Sequence, residues 1–290
     1  MALYGGPVVD AHHHLWDYSP GALPWLDGEP TLARDFGAED YFAAAGRLDI
    51  VATVWIEAVA VDPLEEAKAA ATLQARDPRL AAAVVAHAPL DAPDLPARLD
   101  ALQEAVPTLR GLRDIVAVRP GFPSLARHHD LLRRPAFAAG LRELARRGLA
   151  FDLMLEPWQM PAALDLAAAI PDLSIIVEHA GSPDFSSPEG TALWQDAMRR
   201  ASARPNIAVK ISALHCRMPG WSDGRLAPPI RTLVEGFGAD RVAFASDFPV
   251  HDRTVPFERA FDTFRHAVAD LSIDEQAALF HDTARRLYRI

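Results

Sequence analysis

Two histidines stand one residue apart behind a short apolar run, in "VVDAHHHLWD". On an extended strand, residues i and i+2 share a face, so His12 and His14 point together and His13 points away. Two neutral imidazoles side by side are half of a zinc site. Two further residues close apolar runs in the same manner: His179 ends "SIIVEH" and Asp247 ends "VAFASD". His179 supplies a possible third nitrogen. A carboxylate such as Asp247 after a buried run is costly unless it is paired or has a task. Polarisation of a carbonyl, lowering of the pKa of a bound water, and proton transfer by a carboxylate are the chemistry open to such a set. The run of three histidines begins at residue 12 inside a strand-like pattern, unlike a purification tag.

These residues need a frame that brings distant strand ends together. Eight β-branched runs recur along the chain: "PVVDAHHH", "VATVWIEA", "LAAAVVAH", "TLRGLRDI", "LAFDLML", "LSIIVEHA", "IAVKISAL" and "RVAFASDF". Between most of them lie Ala- and Leu-rich amphipathic stretches bounded by Pro or Gly, as helices are. Asp62, Pro63 and Glu65 read as a helix start, and Ser272 with Glu275 as a capping box. Continuous apolar strands covered by helices suit a parallel sheet. Eight such units over residues 1–290 predict a single-domain (β/α)8 TIM barrel. An open doubly wound sheet is disfavoured, because "DAHHHLWD" stands where a glycine-rich phosphate loop would follow the first strand.

In a barrel the C-terminal strand ends face the active-site mouth. The polar residues there are Asp10, His12, His14, Glu57, His87, Arg113 and slightly later Arg119, Asp152, Glu156, Glu178, His179, Lys210, Ser212, Ser246 and Asp247. Strand alternation turns Glu178 away from His179, into a structural role. His13 and His87 read as hydrogen-bonded strand-end residues, and Cys216 as inert, since no base accompanies it. Trp16, Trp25, Trp158 and Trp221 either line a substrate wall or pack loops onto the barrel.

Composition excludes several classes of function. Net charge is -10, with 39 acidic against 29 basic residues, which leaves no footprint for nucleic acid and no polybasic membrane anchor. No apolar run approaches the length of a membrane span, and no signal peptide is visible. A single cysteine permits no internal disulfide and fits a reducing compartment. A cytoplasmic protein acting on a small molecule is the expectation; the oligomeric state is not legible.

The motifs together resemble the amidohydrolase superfamily, and within it the amidohydrolase-2 group of sugar-lactone and related lactone hydrolases. The matching pieces are "VDAHHHLWD", "PWL", "LARDFGAEDY", "LRGLR", "GLAFDLML", "IIVEHAGSP", "IAVKISAL", "RVAFASDFPV" and "TARRLYRI", nearly end to end. The resemblance implies a first-strand metal pair at His12 and His14, a sixth-strand histidine at His179 and a catalytic aspartate at Asp247. It places a substrate-contacting arginine at Arg113. It further implies hydrolysis of a lactone carbonyl, with Asp247 as general base and one divalent metal, most simply Zn2+, held by His12 and His14 with His179 or Asp247. Some members work without metal, in which case the three histidines polarise the carbonyl directly. The bridging residues of two-metal members have no evident counterpart on the fourth and fifth strands. Departures from the family pattern are His13 for Gln, Glu178 and Ser182 in "EHAGSP" for the common Asp and Lys, "KISA" for "KSG", and Phe248 for Trp. They touch the pocket wall more than the metal set. The alternatives are a metal-dependent decarboxylase of the same superfamily and, from another class, a non-catalytic binding barrel.

Overall fold

The computed structural model describes residues 3–290, and each of the eight apolar runs in it is a strand. They are β1 (Val8–His13), β2 (Ile50–Ile56), β3 (Ala83–His87), β4 (Leu109–Arg113), β5 (Ala150–Leu153), β6 (Ile175–Val177), β7 (Ile207–Ile211) and β8 (Val242–Phe244). Neighbours in sequence are neighbours in the sheet, from β1 to β8, and all pairs are parallel. Closure takes place just beyond β8. The Asp247 N–H donates to the His12 carbonyl at 2.9 Å, and the His14 N–H donates to the Phe248 carbonyl at 2.7 Å. The molecule is therefore a (β/α)8 barrel.

The helices form for the local reasons expected. Asp62 accepts from the Glu65 N–H at 3.2 Å, with Pro63 in the first helical position. Ser272 and Glu275 bond reciprocally at the start of a later helix. The helix Phe257–Ala267 buries Phe257, Phe261 and Phe264, spaced i, i+4, i+7, and so carries a full apolar stripe. Phe264 stacks on Phe244 of β8 at 4.6 Å, which fixes the strand that delivers Asp247. Burial of each such ring stabilises by about 1.5–3 kcal/mol. Among the described residues, no helix is long and apolar enough to cross a membrane.

One strand-end carboxylate ties the two ends of the barrel together. Asp10 accepts from the Ser246 N–H at 2.8 Å, the Ser246 hydroxyl at 2.6 Å and the Tyr41 hydroxyl at 2.8 Å. A register shift between Asp10 and His13 turns this carboxylate toward Tyr41, so strand parity with His12 and His14 does not carry it into the site. Burial raises its pKa to about 6 against the pull of these donors. Asp10→Asn sets an amide N–H₂ against donors and is expected to destabilise the fold by about 2 kcal/mol or more, read from the urea midpoint.

A second buried carboxyl joins β2 to its following helix. Glu66 accepts from the Ala58 N–H at 2.6 Å, while its other oxygen is buried without a partner. Burial, and then the adjacent Glu57 carboxylate, push its pKa from the ordinary 4.5 up to about 8. The native state thus keeps a proton that the unfolded chain releases, and stability falls as pH rises between those two values. Glu66→Gln is expected to flatten that decline in a pH series of denaturation midpoints.

Candidate active site

The strand ends deliver the expected residues to one cavity. His14, Arg113, His179 and Asp247 line it, and His12 lies beneath them, fully buried. The His12 and His14 Nε2 atoms are 3.1 Å apart. Asp247 Oδ1 lies 3.5 Å from the first and 3.7 Å from the second. His12, His14 and Asp247 form one group able to hold a metal ion, and His12, Glu178 and His179 form a second that shares His12.

The first triangle has the dimensions of a metal site. A tetrahedral ion with bonds of about 2.0–2.1 Å sets its donors about 3.3 Å apart, close to the edges observed. Tautomers agree with that use. His14 Nδ1 faces the Ile56 carbonyl at 2.8 Å, which only accepts, so the proton sits there and Nε2 keeps its lone pair. His12 Nδ1 lies between Glu178 Oε1 at 3.2 Å and Lys210 Nζ at 3.0 Å. When Nδ1–H donates to Glu178, His12 Nε2 also presents a lone pair. A carboxylate behind a ligating histidine orients the ring in this way. Burial, followed by the Lys210 charge, lowers the His12 pKa well below its ordinary value, and burial lowers that of His179. Neutral imidazoles are the form a metal requires.

Charge around the site is organised by two buried cations. Arg113 donates from Nε to Glu57 at 2.5 Å and from Nη1 to Glu178 at 3.1 Å. Its Nη2 donates to the Glu57 carbonyl. Three of the five guanidinium N–H groups are thereby engaged. Lys210 donates to Asp152 at 2.5 Å and to Glu178 at 3.3 Å, and the Tyr288 hydroxyl donates to Asp152 at 2.7 Å. Burial opposes ionisation of Glu178, but Arg113, Lys210 and His12 together hold its pKa well below the carboxylate range. Burial likewise opposes ionisation of Asp247, and His179, His14 and His12 outweigh it. Glu57, Asp152 and Glu178 meet Arg113 and Lys210, and Asp247 meets neither, so these four buried carboxyls outnumber the two cations by two. A divalent cation matches that imbalance.

The expectation for Glu178 is corrected. It does not face away from His179: His179 Nε2 is 4.0 Å from Glu178 Oε2. The reason is local. β6 ends at Val177 and His179 has φ 50°, so strand alternation stops before the pair. The same backbone state recurs around the cavity. Of eight non-glycine residues with positive φ among the described residues, four (Val59, His179, Ala213 and Asp247) line it. Each stores about 1–3 kcal/mol of strain, and no glycine in the sequence marks these places. His179 Nδ1 is held by the Ser212 hydroxyl at 2.9 Å.

The remaining expectations divide. His13 bonds Thr53 at 2.8 Å and His87 bonds the Arg113 carbonyl at 2.9 Å, both outside the cavity lining. Trp25 lines the cavity, whereas Trp16 is buried and donates to the Arg34 carbonyl. Trp158 donates to the Val118 carbonyl and Trp221 sits edge-on to His215. Cys216 lies at the cavity with its thiol on the Ala213 carbonyl, and burial raises its pKa. Lys210, Glu57 and Asp152 stood among the strand-end polar residues, but their part in fixing His12 was not foreseen. A lysine or an acid in an apolar strand is itself a signal for a buried partner.

Comparison with known proteins agrees with this geometry. Residues 9–290 match the family profile described as Amidohydrolase. The protein y4mH of Sinorhizobium fredii is 32% identical, over 98% of this chain and 98% of its own length. An L-fucono-1,5-lactonase of Burkholderia ambifaria is 29% identical, over 97% of this chain and 95% of its own length. A crystal structure of a Burkholderia multivorans amidohydrolase with bound Zn superposes with a TM-score of 0.86 at 23% identity, covering 98% of this chain and 100% of that one. With its barrel and its histidine–aspartate cluster, this chain belongs to the amidohydrolase family, in the amidohydrolase-2 group.

Proposed function

We propose that this protein is a lactonase: water opens the ring of a sugar-acid lactone or related carboxylated lactone, with Asp247 as general base. The observation that carries the reading is the convergence of His12 Nε2, His14 Nε2 and Asp247 Oδ1 at one end of a cavity. The L-fucono-1,5-lactonase relative supports a lactone as the substrate. Metal-assisted hydrolysis or decarboxylation of a small carboxylate or lactone is the broader chemistry that the family and the donor cluster support.

His12, His14 and Asp247 would hold one divalent ion, with His179 adjacent. When bound, a zinc ion would supply Lewis acidity to the carbonyl or to the attacking water. Asp247, a carboxylate at neutral pH, accepts the proton of the attacking water through its second oxygen. It then returns that proton to the leaving alkoxide. His179, anchored through Nδ1 by Ser212, turns its other nitrogen to the developing oxyanion. Arg113 lines the cavity and keeps two donors beyond those given to Glu57 and Glu178; these orient a substrate oxygen.

Asp247→Asn is expected to lower kcat for lactone hydrolysis by about 10²–10⁴-fold while the protein stays folded by circular dichroism. Normal turnover would remove Asp247 from the base role. Chelator-stripped enzyme is expected to lose acid release from a lactone panel and to regain it with Zn2+. His12→Asn should bind less zinc by mass spectrometry and regain little activity. Full activity in the stripped protein would keep the lactonase and discard the metal. Release of carbon dioxide without ring opening would move the assignment to a decarboxylase, and ligand binding with no turnover would leave a binding barrel.

A further inference from the structure

One stretch of the cavity wall is held in shape by acids behind it. Glu57, Ala58 and Val59 follow directly on β2, and Ala58 and Val59 line the cavity beside Trp25. The Ala58 N–H donates to Glu66 at 2.6 Å and the Val59 N–H donates to Glu57 at 2.7 Å. The Ala58 carbonyl accepts the Trp25 indole N–H at 2.6 Å, and the Glu57 carbonyl accepts from Arg113. Val59 has φ 59°, a left-handed state that a β-branched residue adopts only under constraint. The wall is thus a strained bend that two carboxyls hold by successive N–H groups.

The two carboxyls are unequal. Glu57 is also bonded to Arg113 Nε at 2.5 Å. Glu66 comes from the first turn of the next helix, Pro63–Arg76, and its Oε2 is buried without a partner. The ionisable groups on the elements around it are Glu57 at the end of β2, His87 at the end of β3, Arg113 at the end of β4 and Arg98 on the helix Leu95–Ala105. His87 is held on the Arg113 carbonyl, and Arg98 pairs with Asp94. On its own helix, Asp62 accepts from the Glu65 N–H and Glu65 pairs with Lys68. Glu57 therefore opposes a second negative charge, and Arg113, which would favour one, is already bonded to Glu57 and Glu178. A neutral Glu66 fits this place, whereas its anion would leave a bare oxygen out of water beside Glu57. The residue is only partly buried, so the anion reaches water by letting go of Ala58. The strained bend then has one support fewer. Resting on the reading of this cavity as the substrate site, we infer that Glu66 is a positioning residue: as a neutral acid bonded to Ala58 it keeps the Ala58–Val59 wall and Trp25 in the binding shape, and as an anion it releases them.

The test follows two readouts through a pH series in which the protein stays folded by circular dichroism. One is Trp25 emission without substrate, taken as the difference between the wild-type and Trp25→Phe proteins. The other is KM for δ-valerolactone, corrected for spontaneous opening. Trp25 emission should shift with a midpoint at about 8, the value to which burial and Glu57 raise the Glu66 pKa. Apparent affinity scales with the binding-competent fraction, so KM should rise about tenfold between about pH 7 and about pH 9. Glu66→Gln keeps an acceptor for Ala58 and does not ionise, so its emission and KM should hold their low-pH values throughout. Glu66→Ala has no acceptor and should show a KM raised about tenfold even at neutral pH. A Glu66 that served stability alone would move the denaturation midpoint and neither readout. Emission that does not shift, or shifts equally in Glu66→Gln, would overturn the inference, as would a KM that stays level while the emission moves. If no lactone is opened, the lactonase reading fails, and the emission series alone upholds or overturns the role of Glu66 in the wall.

Discussion

Charge buried away from water has to be answered by charge, and the site of this barrel is arranged around that requirement. Arg113 and Lys210 both reach Glu178, and each holds a second acidic partner, Glu57 in one case and Asp152 in the other. All five side chains are almost wholly buried. Removing any one would strand its partners at a cost of about 3–5 kcal/mol. The network is therefore a rigid base, and the face it presents to the cavity is the oriented His12 ring. Geometry at the donor triangle follows from pairing two strands farther round the barrel.

Asp247 stands outside that network. No arginine or lysine pairs with it among the described residues, and the groups nearest its carboxylate are the His12 and His14 imidazoles. This separates the two sorts of carboxylate in the barrel. Glu57, Glu178 and Asp152 are paired with fixed cations, whereas Asp247 lies against imidazoles whose charge depends on a proton. It is to the carboxylate of the second sort that the proposed proton transfer is assigned.

Much of this was legible in the residues. Eight apolar runs became eight strands in order, and Asp62 and Ser272 start helices as their side chains dictate. The meeting of His12 and His14 followed from a period of two. That same rule failed at Glu178, and it does not extend to Asp10, for a shared reason. Alternation holds only while the strand is regular, and β6 ends one residue before Glu178 while β1 shifts register after Asp10. Positive φ at His179 and Asp247 carries no composition signal, because neither is a glycine. The Glu178–Lys210 clamp on His12 was hidden for another reason: it depends on which side chains converge across the barrel, and no local pattern reports that.

The hydrogen bond from Asp247 to the His12 carbonyl closes the ring of strands and also joins two of the donors across a sequence separation of 235 positions. Loop closure over such a span carries an entropic cost that the packing of the intervening strands must offset. During synthesis, His12 and His14 leave the ribosome long before their aspartate exists. A nascent or truncated chain that lacks the segment after β8 has the histidines but no complete donor triangle. The reactive centre thus forms together with the last seam of the barrel, and its appearance reports that the chain has finished folding.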